Sequence, residues 1–272
     1  MDFTLLIYKS FLQSLISIGY SFVSFKDFIN SKIYLNNSSF IILRHDVDRL
    51  PHNSLRTAEI DYLLGIKSSY YFKIDQGSLN IDIIRKIADL GHEIGYHYED
   101  VNLVFRRQKS ILKGQNGKID EERLIDLAYE SFCKNLERMR KIYPIKTICA
   151  HGSPLSPYDN KIIWDKYDYK KLGITGEPSF DIDWNKFAYF TDTGRRWNGY
   201  NVSVRDKVNS KYNFNFKSTF DIMNNLNRLP SQIMITIHPQ RWNDNILMWA
   251  KELMMQSGKN IIKKYFYVKN HR

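Results

Sequence analysis

The chain has 272 residues, 43% of them hydrophobic and 25% charged, which allows one large domain or two small ones with a real core and excludes long disordered stretches. Its net charge of +11 is scattered over pairs such as Arg106-Arg107, Lys170-Lys171 and Arg195-Arg196. That pattern reads first as a solvated basic surface and second as attraction to an anionic glycan, a lipid-linked phosphate or a membrane surface. No zinc-finger spacing or RNA-binding signature accompanies it, so nucleic acid is not an expected partner. The two cysteines, Cys133 in a helix pattern and Cys149 in a strand pattern, read as small buried hydrophobes. They rule out a disulfide framework and fit a reducing compartment. The N-terminus opens Met1-Asp2-Phe3, with an acid where a signal peptide needs a basic region, and no apolar run reaches the length of a membrane span. The expected location is cytoplasmic.

In chain order, Phe3, Leu6, Ile7, Phe11, Leu15, Ile16 and Ile18 fall at helical spacing and predict a helix over 3–19, closed by Gly19. A short strand is expected over 20–25 and a turn or short helix over 24–29. Phe40-Ile41-Ile42-Leu43 predicts a buried strand over 40–46, which ends in Arg44-His45-Asp46-Val47-Asp48 and is stopped by Pro51. Asn53-Ser54 can cap a helix running to about Leu64. A strand over 68–74 and a helix over 80–90 follow. A very short strand after Gly91 then ends in a polar, aromatic loop.

The segment 100–118 reads as a polar loop, 119–142 as a long helix and 147–150 as a strand ending at His151. A helical piece over 162–167 leads to two short strands or turns within 172–190, and a polar loop covers 195–213. A helix over 217–229, a strand over 232–237 ending in His238-Pro239, and an amphipathic helix over 242–264 complete the chain. Short apolar strands alternating with helices predict a parallel α/β sheet or barrel, and no linker or repeat divides it. The expectation is one domain over 1–272.

Five polar clusters end strand-like runs: Asp46/Asp48, His97/Glu99, His151, Asp192 and His238. In a parallel barrel the strand ends of one polarity share one rim, so these side chains converge. Asp46 and Asp48, two residues apart, can point the same way. Carboxylates beside histidines at such a place suit a metal site or an acid/base pair. The plainer alternative is a helix-capping turn with a solvated Asp.

These motifs resemble the polysaccharide deacetylase superfamily, carbohydrate esterase family four, also called the NodB-homology fold. The carriers are Leu43-Arg44-His45-Asp46-Val47-Asp48, Gly91-His92-Glu93-Ile94-Gly95-Tyr96-His97, Ala150-His151-Gly152-Ser153-Pro154 and Ile235-Thr236-Ile237-His238-Pro239, together with the strand at 68–74. In order and spacing they cover about residues 38–240. The resemblance implies a distorted (β/α)7 barrel, similar to a TIM barrel, with a C-terminal helix added. It implies a metal-dependent hydrolase of an amide bond that deacetylates an N-acetylated sugar in cell-surface polysaccharide synthesis. One divalent metal is implied, zinc first, with cobalt, nickel, manganese or iron as alternatives.

Carried over by position, Asp46 matches the catalytic base and His238 the general acid. His97 matches the first metal histidine. Val47 replaces the family's metal-ligand aspartate, and Asp48 takes that role as in Asp-x-Asp members. Val101 stands where the second metal histidine belongs and cannot ligate. His151, Glu99 or His52 can complete the set, and His151 is the preferred choice. The family's arginine in its third motif has no counterpart near His151, for which Arg195, Arg196 or Arg205 can substitute. Tyr98, Glu99, Arg195 and Trp197 are the expected substrate-binding residues, with Tyr158 and Trp184 as further sugar platforms. The expected substrate is an acetylated sugar or glycan precursor, lipid- or nucleotide-linked. The competing expectation, kept open by Val101, is a non-catalytic or repurposed barrel that binds glycan or a protein partner.

Overall fold

The computed structural model describes residues 1–31, 38–111, 120–153, 156–198 and 208–263. Helix α1 (Leu5–Ser17) is capped by the Thr4 side chain and leads to strand β1 (Ser21–Val23) and helix α2 (Phe25–Asn30), itself capped by Ser24. Strand β2 (Phe40–Val47) follows, then helix α3 (Pro51–Leu63), β3 (Ser69–Phe72), α4 (Ile81–Asp89) and β4 (Glu93–Tyr98). Next come α5 (Asp100–Ile111), α6 (Glu121–Arg140), β5 (Ile148–Ala150) and two short helices, α7 (Ile163–Lys166) and α8 (Pro178–Asp181). Strand β6 (Ala188–Thr191), α9 (Thr219–Met223), β7 (Gln232–Ile237) and α10 (Ile246–Lys263) close the order.

All strand pairings are parallel, as the strand–helix alternation predicts. The sheet runs β5-β4-β3-β2-β7-β6, and β1 pairs the first residues of β2. It is a curled half-barrel of the distorted (β/α) type. Among the described residues no ladder joins β5 to β6, so the seam there is open. No described helix is long and apolar enough to cross a membrane.

Period-two alternation decides what each strand presents. On β2, Ile41 and Leu43 pack outward against α1, while Phe40 and Ile42 belong to a separate inner cluster with Tyr71, Cys149 and Met234. The helix layer on the other flank buries Val47, Tyr70, Phe72, Tyr96 and Tyr98 against α4 and α6. Phe28 of α2 packs on Phe40 and Phe187, filling the amino end of the inner face with aromatic rings. Arg44, Asp46 and His97 lie on that inner face nearer the carboxyl end, where the fold turns from packing to chemistry.

Some expectations need correction. Residues 100–111 form a helix where a polar loop was expected, because its buried, mostly polar start (Asp100, Val101, Asn102) is anchored by tertiary contacts. Asp100 accepts hydrogen bonds from Tyr96, Ser131 and Asn135. The rest of that loop, 112–118, lies outside the described residues, as does 199–207 of the second one. Helix α3 begins at Pro51, ahead of the expected Asn53-Ser54 cap. Proline suits a first helical position, and Leu50 before it is left-handed, φ +53°. The helix expected over 217–229 breaks after Met223 into a separate turn at Leu226–Arg228. Within 172–190 the chain makes α8 before β6. Neither cysteine is in a disulfide; Cys149 is buried and Cys133 half-buried.

Candidate metal centre

Asp48, His97 and His151 come together at the carboxyl rim, from the ends of β2, β4 and β5. One ligand-type atom from each lies within 4.8 Å of the others. Asp48 Oδ1 stands 3.5 Å from His97 Nε2 and 3.5 Å from His151 Nε2. The far nitrogen of each ring is committed elsewhere. His97 Nδ1 is 3.0 Å from the Cys149 carbonyl, which can only accept, so that nitrogen carries the hydrogen. His151 Nδ1 is 3.0 Å from the Glu99 carboxylate, which fixes the same tautomer. Both Nε2 lone pairs are therefore directed at an anionic oxygen.

That oxygen, Asp48 Oδ1, is buried and has no hydrogen-bond partner. Leaving a charged acceptor unpaired costs about 1–3 kcal/mol or more. Three electron-rich atoms facing one another offer a place for a cation. Ligands held about 2.1 Å from a tetrahedral ion stand roughly 3.4 Å apart, matching the observed spacing. The donor set and the carboxylate and carbonyl behind the two imidazoles fit a divalent metal. The other Asp48 oxygen accepts from Gln240 Nε2 at 3.1 Å.

Asp46 lies beside this group, its Oδ2 3.7 Å from His97 Nε2. Arg44, two residues earlier on the same strand face, clamps it with Nε to Oδ1 at 2.7 Å and Nη2 to Oδ2 at 2.5 Å. Burial alone would raise the Asp46 carboxyl, but the Arg44 guanidinium and the His97 ring hold it down at about 2. Asp46 is thus an ionised carboxylate in a buried position. Glu99 behaves similarly. Against burial, His151 and Lys73 hold it at about 2, with Lys73 Nζ 3.2 Å away.

His238 follows β7. Its Nδ1 donates to Asp192 Oδ1 at 2.6 Å, which leaves Nε2 for the site. Asp192 is fully occupied: Arg241 Nη1 is 2.6 Å from Oδ1, and Oδ2 accepts from Trp242 Nε1 at 2.7 Å and the His238 backbone at 3.0 Å. Burial opposes the Asp192 charge, yet Arg241 and His238 keep its carboxyl below the usual range. His238 is close enough to act electrostatically on both Asp46 and Asp48.

The sequence-derived site residues thus divide. Asp46, Asp48, His97, His151, Glu99 and His238 share one rim. Tyr98 does not join them: next to His97 on a strand it must face the opposite side, where it is fully buried with its hydroxyl against Trp164 Nε1 at 2.9 Å. Trp197 is likewise a core residue, packed on Phe11 and Trp242 with Nε1 on Thr219. Neither offers a ring face to a sugar. Arg195 turns away from Asp46 and stacks on Trp249, while Arg196 bonds Asn198. Arg205 lies outside the described residues, as does Pro154. Arg44 instead supplies the guanidinium on Asp46, a contact its i,i+2 spacing could have signalled. Lys73 and Gln240 were missed because no pattern in their own segments marks them. Val101 is packed in the core at the start of α5.

Fold and site define a parallel (β/α) half-barrel with an Asp/His cluster at the carboxyl ends of its strands. No family model matches the chain, and no curated protein matches it. Among solved structures it is similar to two crystal structures of mutants of BA3943, described as a CE4 family pseudoenzyme, one of them with restored enzymatic activity. Each likeness has a TM-score of 0.41, at 12% and 13% identity, and covers 83% of this chain. The chain spans 63% of the length of either structure.

Proposed function

We propose that the chain is a metal-dependent hydrolase of a carbon–nitrogen bond, which deacetylates an N-acetylated sugar on a lipid- or nucleotide-linked precursor in the cytoplasm, within cell-surface polysaccharide synthesis. The observation that carries the reading is the unpaired Asp48 Oδ1 faced by two imidazole nitrogens, with an ionised carboxylate and a third histidine beside it. A glycan-binding barrel needs none of the last three features. Asp48, His97 and His151 would hold the ion, zinc first. Bound there, it supplies Lewis-acid polarisation of the acyl oxygen and a water acidic enough to ionise near neutral pH.

The chain's own groups account for the proton movements. Asp46, kept ionised by Arg44, takes the proton of the attacking water. Arg44 balances the charge on the carboxylate and keeps it from swinging away. His238, oriented through Nδ1 by Asp192, delivers a proton from Nε2 to the departing amine. Glu99 and the Cys149 carbonyl hold the two ligand rings in place.

The test is acetate release from N-acetylated amino sugars by the metal-loaded chain. Asp46→Asn should reduce turnover by at least about a hundredfold, the usual contribution of a general base, while retaining its metal. Unchanged turnover in Asp46→Asn would remove Asp46 from this role.

A further inference from the structure

Helix α10 reverses the usual arrangement of a surface helix, which buries its apolar stripe and shows its polar one. The two residues it buries are Glu252 and Gln256, both polar. Its hold on the barrel is polar too. Glu252 pairs with Arg49, Asn260 Nδ2 donates to the Gly194 carbonyl at 2.8 Å, and Gln256 Nε2 donates to Asn260 Oδ1 at 2.9 Å. Arg195 Nη1 donates to the Trp249 carbonyl at 2.8 Å. These bonds tie α10 to the loops after β2 and β6, at the carboxyl rim.

The apolar residues face outward instead. Leu247, Met254 and Ile261 are 78%, 70% and 60% exposed, and Ile262 beside them is 51% exposed. Seven residues apart, the first three fall in one stripe on the side away from Glu252 and Gln256, running about 21 Å at 1.5 Å per residue. Gly258 lies on the same side, and a Cβ added there would meet nothing within 4 Å. Among the described residues nothing covers the stripe. Lys251 sits within it, one turn from both Leu247 and Met254, and Lys259 flanks it; both are exposed. The nearby acids are committed elsewhere. Glu252, the one acid of α10, is buried against Arg49, and Asp244 just before the helix accepts from the Leu5 backbone N–H at 2.9 Å. Arg196 and Lys217 line the hollow beside Leu253 and Ser257, with no carboxylate among its lining residues.

We propose that the outer face of α10 docks on an anionic lipid bilayer, so that the chain is a peripheral membrane protein with the rim of its barrel turned to the lipid. Exposed apolar side chains interleaved with lysines, and no free carboxylate among them, match a surface that is negatively charged on top and apolar beneath. A lysine stem can lie along the apolar layer while its ammonium reaches a lipid phosphate. A second copy of the chain on the same stripe would set lysine against lysine, between two chains of net charge +11. Helix α10 is not long and apolar enough to cross a membrane, so it lies in the plane of the surface. The proposal goes beyond the hydrolase reading and does not depend on it.

Flotation of the full chain with two kinds of vesicle tests it: phosphatidylcholine alone, and equal parts of phosphatidylcholine and phosphatidylglycerol. Binding to the anionic vesicles is expected to be about tenfold or more tighter than to the neutral ones. It should weaken about tenfold or more in Leu247→Ser/Met254→Ser/Ile261→Ser, and again in Lys251→Glu/Lys259→Glu. The serine variant should unfold at the parent's urea concentration, because its three side chains are exposed. No binding to the anionic vesicles, or equal binding to both kinds, would overturn the proposal. So would full binding by the serine variant, since net charge alone would then account for it. A concentration-dependent dimer that the serine variant loses, without vesicle binding, would make the occupant a second copy and overturn it as well. Vesicle binding is read without turnover, so this proposal and the hydrolase reading fail separately.

Discussion

The chemistry rests on single atoms held by neighbours from distant segments. Asp48, His97 and His151 were legible because each ends an apolar run, a position any reader of strand periodicity can mark. Arg44 on Asp46 was within reach of the same periodicity, whereas Asp192 behind His238 and Gln240 on Asp48 act across 46 and 192 residues, which no local pattern reveals. Tyr98 was misplaced for a simpler reason: strand alternation puts it opposite His97.

The outer side of β2 carries a second buried network. The Tyr8 hydroxyl stands 2.8 Å from His45 Nε2 and 2.6 Å from Asp61 Oδ1, and Tyr70 and Ser68 donate to Asp61 Oδ2. Burial and the nearby His92 pull His45 down to about 3, and burial pushes Asp61 up to about 7 despite the three hydroxyls. Between pH 3 and 6.5 the unfolded chain binds a proton at residue 45 that the folded chain lacks, so that contribution to stability rises with pH. Between pH 3.8 and 7 the folded chain holds a proton at residue 61 that the unfolded chain lacks, so that contribution falls. Over their shared window the two cancel. Asp61→Asn removes the falling part. Urea unfolding at pH 4.5 and pH 6 should show the variant gaining about 2 kcal/mol relative to the parent over that interval. Parallel profiles would contradict the assignment.

Elements with a strong period emerged from the sequence in place: α1, β2, β3, α4, α6 and β7 differ from expectation by a few residues at their ends. Weakly apolar segments did not. Helix α5 shows mostly charged residues to solvent and owes its place to contacts with α6. The 217–229 segment carries consecutive asparagines, Asn224 and Asn225, where the helix stops; Asn225 Nδ2 bonds the Asp221 carbonyl instead of prolonging it. Strand β4 has its own requirement. A Cβ on Gly95 would fall 2.3 Å from the Tyr71 ring and 3.1 Å from the Thr147 carbonyl. The ring crosses the inner face at this point, two residues before His97. Gly95→Ala should therefore destabilise the fold by about 1–3 kcal/mol in urea unfolding, by overpacking. A variant as stable as the parent would mean that Tyr71 moves freely.

At the scale of the molecule, parallel strands bring four segments spread over nearly 200 residues to one rim, and the alternation of strands and helices was enough to foresee that. The seam left open between β5 and β6 among the described residues was not foreseeable, because closure depends on how far the sheet curls rather than on any strand's composition. Helix α10 packs across the same rim through the Arg49–Glu252 ion pair and the Arg195 contact with Trp249. Its sequence announced an amphipathic helix without saying what it would cover. Every proposed step depends on a metal held at the rim by Asp48, His97 and His151. Elemental mass spectrometry of the purified chain beside Asp48→Ala and His97→Ala tests it most directly. About one divalent ion per chain, lost in both variants, is the predicted result. A parent chain that takes up no zinc, cobalt or manganese, or a His97→Ala variant that keeps its metal, would contradict the claim.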